Sequence, residues 1–260
     1  MKNIFSALQQ LLSSKTSMPQ WQPSPTLARV FNSNNAQGTF VLYDSSAHTV
    51  TGHDPARAEQ RFSPDSTFKV VNSLIGLATG AISSLDDVLP YGGKPQPFQD
   101  WQHDLDLHRA IKVSSVPIYQ ELARRIGLER MREQLRRLNY GNAEVGETVD
   151  QFWLTGPLMI SAMEQARFMA RLAQHELPVS EKIQAAVREL VYVEQGQNWV
   201  LYGKTGWSQH HAPDLGWWVG WVEKQGLVYS FALNVDMPNP QDRQIRIELG
   251  KACLKALGIL

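Results

Sequence analysis

Ser66-Thr67-Phe68-Lys69 sets a hydroxyl and an amine three residues apart, at the head of the apolar run Val70-Val71-Asn72-Ser73-Leu74-Ile75-Gly76-Leu77. On a helix that spacing puts both side chains on one face, one turn apart. A lysine held among apolar neighbours sheds its proton more readily, because burial disfavours the charged form. A neutral amine beside a serine hydroxyl is a base next to a nucleophile, the arrangement of covalent catalysis. Taken alone, the pair is also what a helix N-terminus with an exposed lysine would show. It is, however, the single Ser-x-x-Lys of the chain, and other motifs follow it in a chemically sensible order.

Lys204-Thr205-Gly206 follows the apolar run Trp199–Tyr202. A strand ending this way offers a cation, a hydroxyl and a glycine that lets a ligand come close to the backbone. Read in isolation the tripeptide is an ordinary strand exit; after an upstream Ser-x-x-Lys it becomes specific. Ser114-Ser115-Val116 lies between the two, with Pro117 next, so one serine is an N-cap and the other is free for chemistry. Trp153, in Phe152-Trp153-Leu154, carries a donor-only N–H that must find an acceptor if buried. Tyr140-Gly141-Asn142 reads as a turn at a helix end, and Glu164 as a structural residue within a helix. His210-His211 stands in the loop 208–214 at the expected cleft entrance; adjacent histidines rarely ligate one metal, so no metal is assigned.

These residues need elements to hold them. An amphipathic helix is read over residues 3–14, interrupted by Gln9 and Gln10 in a way a signal peptide is not, then an extended linker over residues 18–25. Strands follow at Gly38–Asp44 and Thr49–Thr51, and the Ser66 helix runs to about Gly80. Residues 86–104 are loop, with Trp101 among prolines and glycines. Helices are read at Val116–Ile126, Leu128–Leu138, Ser161–His175 and Ser180–Val191, the last with Ser180 as N-cap. Strands return at Trp199–Tyr202, Trp217–Val222 and Val228–Val235, before a closing helix over 246–257. The expected fold is α+β: one antiparallel sheet flanked by N- and C-terminal helices, with a mainly helical lobe inserted. The chain is one catalytic domain, residues 1–62 plus 193–260 forming the sheet lobe and 63–192 the helical lobe. The Ser66 helix lies at their seam, where a cleft belongs.

Composition narrows the function. Lys plus Arg and Asp plus Glu number 25 each, which argues against a nucleic-acid partner. No run is long enough to span a membrane. Cys253 is the single cysteine, so neither an intrachain disulfide nor a cysteine zinc cluster can form.

In their order and spacing, Ser66-Thr67-Phe68-Lys69, Ser114-Ser115-Val116, Tyr140-Gly141-Asn142, Phe152-Trp153-Leu154 and Lys204-Thr205-Gly206 resemble the class D serine β-lactamases, the oxacillinase family, as does Asp214-Leu215-Gly216-Trp217-Trp218-Val219-Gly220-Trp221. The resemblance covers nearly the whole chain from about residue 20. It implies hydrolysis of β-lactam antibiotics through an acyl-enzyme on Ser66, in the fold of the serine β-lactamases and penicillin-binding transpeptidases. Lys69 would be carboxylated by carbon dioxide or bicarbonate, with no other cofactor, and act as base in both halves of the reaction. Trp153, Val116 and Leu154 would support that carbamate. Ser114 and Lys204 would carry a proton to the lactam nitrogen, and the backbone N–H groups of Ser66 and Trp207 would form the oxyanion hole. Thr205, Gly206, Trp101 and Arg246 would bind substrate, with Arg243 competing with Arg246 for its carboxylate. The resemblance further implies a periplasmic or secreted protein. A domain of this fold that captures the drug without releasing it, as a sensor or penicillin-binding protein does, is the rival. Class A relatives would carry Ser-Asp-Asn where this chain has Ser114-Ser115-Val116.

Overall fold

The computed structural model describes residues 19–239 and 243–260, so the helix expected over residues 3–14 lies outside the described residues. One seven-stranded sheet has the order β1-β3-β2-β9-β8-β7-β6. Its strands are β1 Gln20–Pro23, β2 Gly38–Asp44, β3 Thr49–His53, β6 Tyr192–Gln195, β7 Trp199–Ser208, β8 Asp214–Lys224 and β9 Leu227–Met237. The early and late strand groups are thus one sheet, joined where β2 pairs with β9 along its whole length. All neighbours run antiparallel except β1 and β3. Two short strands, β4 Arg61–Phe62 and β5 Ile160–Ser161, pair separately. The helices are α1 Pro25–Ser33, α2 Pro55–Glu59, α3 Phe68–Ala78, α4 Leu107–Lys112, α5 Val116–Ile126, α6 Leu128–Leu138, α7 Ala162–Ala173, α8 Glu181–Leu190 and α9 Ile245–Ala256.

The sequence reading had no element for α1, α2, α4 or β6, and it misread two further stretches. Of the linker expected over residues 18–25, the described residues 19–25 are structured: β1 pairs with β3, and Ser24 caps α1 by accepting from the Leu27 N–H at 3.2 Å. The prolines that suggested a linker fit here, because Pro25 occupies the first helical turn, where no N–H is needed. The strand read as Trp199–Tyr202 continues to Ser208, so Lys204-Thr205-Gly206 lies inside β7 rather than at its exit. Its pairing with β8 is unbroken from Trp199 opposite Lys224 to Ser208 opposite Leu215, and this cross-strand partner overrides the two glycines. The hairpin after β8 turns at Gln225 and Gly226, both with positive φ, as a tight two-residue turn requires.

The central strands are buried on both faces and sort their side chains with period two. Leu215, Trp217, Val219 and Trp221 of β8 enter the core shared with the helical block. Trp218 and Val222 enter the opposite core, with Leu27 and Phe31 of α1 and Leu249, Cys253 and Leu254 of α9. α7 packs across β9, β2 and β8 on the helical side. α3 is the innermost helix: every residue from Phe68 to Gly76 is buried, the pattern of a helix apolar all round. Lys69 is carried into the interior by that helix.

Candidate active site

A 3₁₀ turn, Asp65–Thr67, leads into α3 and bears Ser66. Asp65 and Thr67 point inward and are buried, which leaves the intervening Ser66 on the wall of a cleft of about 600 Å³. The turn is held from three sides. The Asp65 N–H donates to the Trp153 carbonyl at 3.0 Å. The Thr67 hydroxyl donates to the Pro64 carbonyl at 2.6 Å and accepts from Gln165 Nε2 of α7 at 2.8 Å. The third side is β7. β6 pairs only as far as Tyr202, so beyond that point the edge of β7 is open and the turn packs against it.

Gly206 makes this packing possible. A Cβ there would stand 3.1 Å from Thr67 Cγ2, 3.1 Å from Trp217 Cβ and 3.2 Å from the Pro64 oxygen. The sequence reading gave Gly206 to a ligand's approach; the close neighbours are Pro64 and Thr67, which flank the Ser66-bearing turn, and Trp217 of β8. Gly206→Ala is therefore expected to cost about 1–3 kcal/mol through overpacking, read as a melting temperature lower by a few degrees together with slower labelling of Ser66. A variant with wild-type melting and labelling would contradict that role.

Lys69 is fully buried, and its Nζ donates to Ser66 Oγ at 2.9 Å. Burial pulls its pKa down to about 7, opposed by the nearby Asp65. Its amine is thus substantially neutral near neutral pH, as covalent chemistry on an amine requires. The second lysine has a similar setting. Lys204 Nζ donates to Ser114 Oγ at 3.0 Å and to the Thr205 carbonyl at 2.9 Å. Burial lowers its pKa as well, with help from Lys69 and Arg246. Ser114 has φ of 54°, an uncommon conformation for serine that stores about 1–3 kcal/mol of strain. It ends α4 and aims the hydroxyl at Lys204. Ser115, not Ser114, is at the N-cap of α5, but its hydroxyl makes no capping bond and stays buried with no partner among the described residues. The capping serine expected from the sequence is therefore only a backbone cap.

Val116, Leu154, Thr205, Trp207, Trp101 and Arg246 all line the cleft. Trp101 is pinned by its indole N–H to the Val113 carbonyl at 2.9 Å. The Gly203 N–H points off the open edge of β7, to the Val191 carbonyl at 2.7 Å. N–H groups alternate along a strand, so those of Thr205 and Trp207 face the same edge, toward Ser66. Arg246 reaches the cleft from α9 and donates to the Gly206 carbonyl at 2.7 Å. Burial, then Arg243, lower its pKa to about 10, so it stays cationic at neutral pH. Trp153 lies behind the cleft, stacked on Phe68 at 5.3 Å between ring centroids. Its Nε1–H is buried and has no acceptor among the described residues.

The penicillin binding protein transpeptidase domain family matches residues 29–255. Beta-lactamase OXA-5 of Pseudomonas aeruginosa is 40% identical over 233 residues, covering 88% of this chain and 87% of the relative. The solved class D beta-lactamase FUS-1 (OXA-85) of Fusobacterium nucleatum subsp. polymorphum superposes with a TM-score of 0.88 at 38% identity, covering 92% of this chain and 100% of that one. This chain belongs to the class D β-lactamases. A second solved class D β-lactamase, YbXI from Nostoc, gives a TM-score of 0.87 at 41% identity, over 90% of this chain and 99% of that one.

Two residues of this class D β-lactamase site escaped the sequence reading. Asp65 is 3% exposed, accepts from the Ser63 hydroxyl at 2.7 Å, and is pushed by burial up to about 7. Next to a serine in a Pro-Asp-Ser run it looks like an exposed turn residue, and only the fold buries it. Gly216 leaves room for the stem of Arg246, whose Cγ would stand 2.7 Å from a Cβ there. Three other motifs are structural. Asn142 bonds the Pro157 carbonyl and the Met159 N–H, holding the loop that follows Trp153. Glu164 closes a capping box with Ser161 and pairs with Arg61. His210 lines the cleft while His211 packs edge-on against Phe62.

Proposed function

We propose that the chain hydrolyses β-lactams in two steps through an acyl-enzyme on Ser66, with the Lys69 side chain as base in both. The observation that supports this most directly is the fully buried Lys69 amine, 2.9 Å from Ser66 Oγ, with its pKa lowered to about 7. A neutral amine adds carbon dioxide to give a carbamate, which would supply a stronger, anionic base at the end of Lys69. The pocket suits it. The unsatisfied Trp153 Nε1–H needs an acceptor, and Val116 and Leu154 border the cleft with apolar surface.

In acylation Ser66 Oγ gives its proton to the Lys69 side chain and bonds to the lactam carbonyl carbon. The developing oxyanion accepts from the N–H groups of Ser66 and Trp207. The C–N bond of the lactam then breaks, and the nitrogen takes a proton from Ser114, which Lys204 resupplies across 3.0 Å; the proton that Lys69 took from Ser66 is then released to solvent and one returns to Lys204, so both side chains are restored before deacylation. Thr205 and the Arg246 guanidinium hold the substrate's carboxylate beside Gly206. In deacylation the Lys69 side chain takes a proton from water. The hydroxide equivalent adds to the ester carbonyl, and Ser66 leaves with its proton restored. This reading carries with it a site of action in the periplasm or outside the cell, where such drugs are met. Among the described residues no helix is long and apolar enough to cross a membrane.

The test is intact-protein mass against time after a limited addition of penicillin in bicarbonate buffer. The expected result is an adduct that appears and disappears while hydrolysed drug accumulates. An adduct that persists makes the chain a sensor or penicillin-binding protein. Intact drug with no adduct removes the reading altogether.

A further inference from the structure

One side chain at the cleft mouth has no part in the mechanism above. Arg243 lies over two aromatic rings from opposite walls: its guanidinium carbon is 5.0 Å from the ring centre of Phe98 and 4.6 Å from that of Trp207. Each partner is fixed in turn. Phe98 packs edge-on against Trp101 at 4.8 Å, and Trp101 is bonded to the Val113 carbonyl, the residue before Ser114. The Trp207 indole N–H donates to Asp214 at 2.7 Å, across the hairpin between β7 and β8. A chain of contacts therefore crosses the rim from the helical side to the sheet, with Arg243 as its middle link. The Arg243 backbone carbonyl also accepts from Arg246 Nε at 2.9 Å, so the link sits directly at the Arg246 corner of the cleft.

We propose that Arg243 is a specificity-determining strap, which stacks on Phe98 and Trp207 to roof the Arg246 corner and disfavours β-lactams with a bulky substituent beside the ring carboxylate. The inference rests on the proposed β-lactam hydrolysis and on Arg246 as carboxylate anchor. In a cephalosporin the carbon next to the one bearing the carboxylate carries the 3-substituent. A carboxylate at Arg246 directs that substituent toward the strap. A methyl group passes beneath, whereas a large group must first part the guanidinium from one ring. A cation over an aromatic face at an exposed site contributes about 0.5–1 kcal/mol per contact, so two together can hold a rim that thermal motion still opens.

The experiment compares kcat/KM for benzylpenicillin and for two cephalosporins with the same acyl side chain, one 3-methyl and one 3-heteroarylthiomethyl. The variants are Arg243→Ala, Phe98→Ala and the double variant, each checked for an unchanged melting temperature. Either single change is expected to lower the preference for the 3-methyl compound about tenfold, by raising kcat/KM of the bulky one, with benzylpenicillin little affected. The double variant should go no further than the singles, since both break one link. If Arg243→Ala instead raises KM for all three drugs alike, Arg243 is a carboxylate contact and the strap is overturned. Turnover with an unchanged preference overturns it too. A wild-type chain that consumes none of the three drugs overturns the hydrolysis reading and takes the strap with it.

Discussion

Ser66→Ala is expected to reduce β-lactam turnover by about a million-fold, to background. On the proposed mechanism the substitution removes the atom that forms the ester, while Thr205, Arg246 and the backbone N–H groups of the cleft remain to bind substrate. KM-like affinity should therefore persist in a binding assay although no mass adduct forms at any time. The fold should survive. Ser66 lines the cleft rather than the core, and its turn is held by Thr67, Gln165 and the Trp153 carbonyl. Lys69 loses its hydrogen-bond acceptor, which favours its neutral form further. A Ser66→Ala protein still acylated by penicillin would place the nucleophile elsewhere.

Trp153→Phe is expected to trap the acyl-enzyme. The change keeps an aromatic ring against Phe68 but deletes the buried Nε1–H. A hydrogen bond to a charged acceptor contributes about 1.5–3 kcal/mol, so loss of this donor should lower occupancy of a Lys69 carbamate by roughly 10- to 100-fold. Deacylation should slow by a similar factor at ambient carbon dioxide and recover partly at saturating bicarbonate. The wild-type pH profile follows from the same group. Only the neutral amine is carboxylated, and with the Lys69 pKa lowered to about 7 the neutral fraction is lost as pH falls through that value. About nine-tenths is neutral at pH 8 and about a tenth at pH 6. Turnover should fall over that interval, and added bicarbonate should offset the fall. Stopped-flow measurement of deacylation from pH 6 to 8, with and without bicarbonate, decides it; rates insensitive to bicarbonate in both proteins would remove the carbamate from the mechanism.

The helices at Val116–Ile126 and Leu128–Leu138 are legible to the residue because their apolar spacing, Pro117 near the first start and Gly127 between them all point one way. The strands of the late hairpin are legible for a similar reason, although each is longer in the fold than its apolar run. Local patterns fail where a distant partner decides. Gln20–Pro23 look like proline-rich linker until they pair with β3, α1 goes unread until its Leu27 and Phe31 meet α9, and β7 looks finished at Tyr202 until β8 pairs beyond it.

By itself the sequence determined the chemistry available: a serine and a lysine one turn apart on an apolar helix, a second Ser–Lys pair split between two motifs, and a tryptophan whose N–H would need an acceptor. The first and the last follow from residue type and short-range spacing; the pairing of Ser114 with Lys204 was only what the family resemblance implied. Tertiary structure alone decided what each group experiences. Lys69 has its pKa lowered to about 7 because packing around α3 buries its amine completely. Ser114 and Lys204, ninety residues apart, meet only in the folded chain, where Lys204 lies on β7 beyond the reach of β6. Asp65 had no legible role and Arg243 was read only as a rival carboxylate anchor, since burial of one and the aromatic neighbours of the other come from segments remote in the chain. Desolvation and through-space contact are properties of the packed molecule, and no local pattern of residues encodes them.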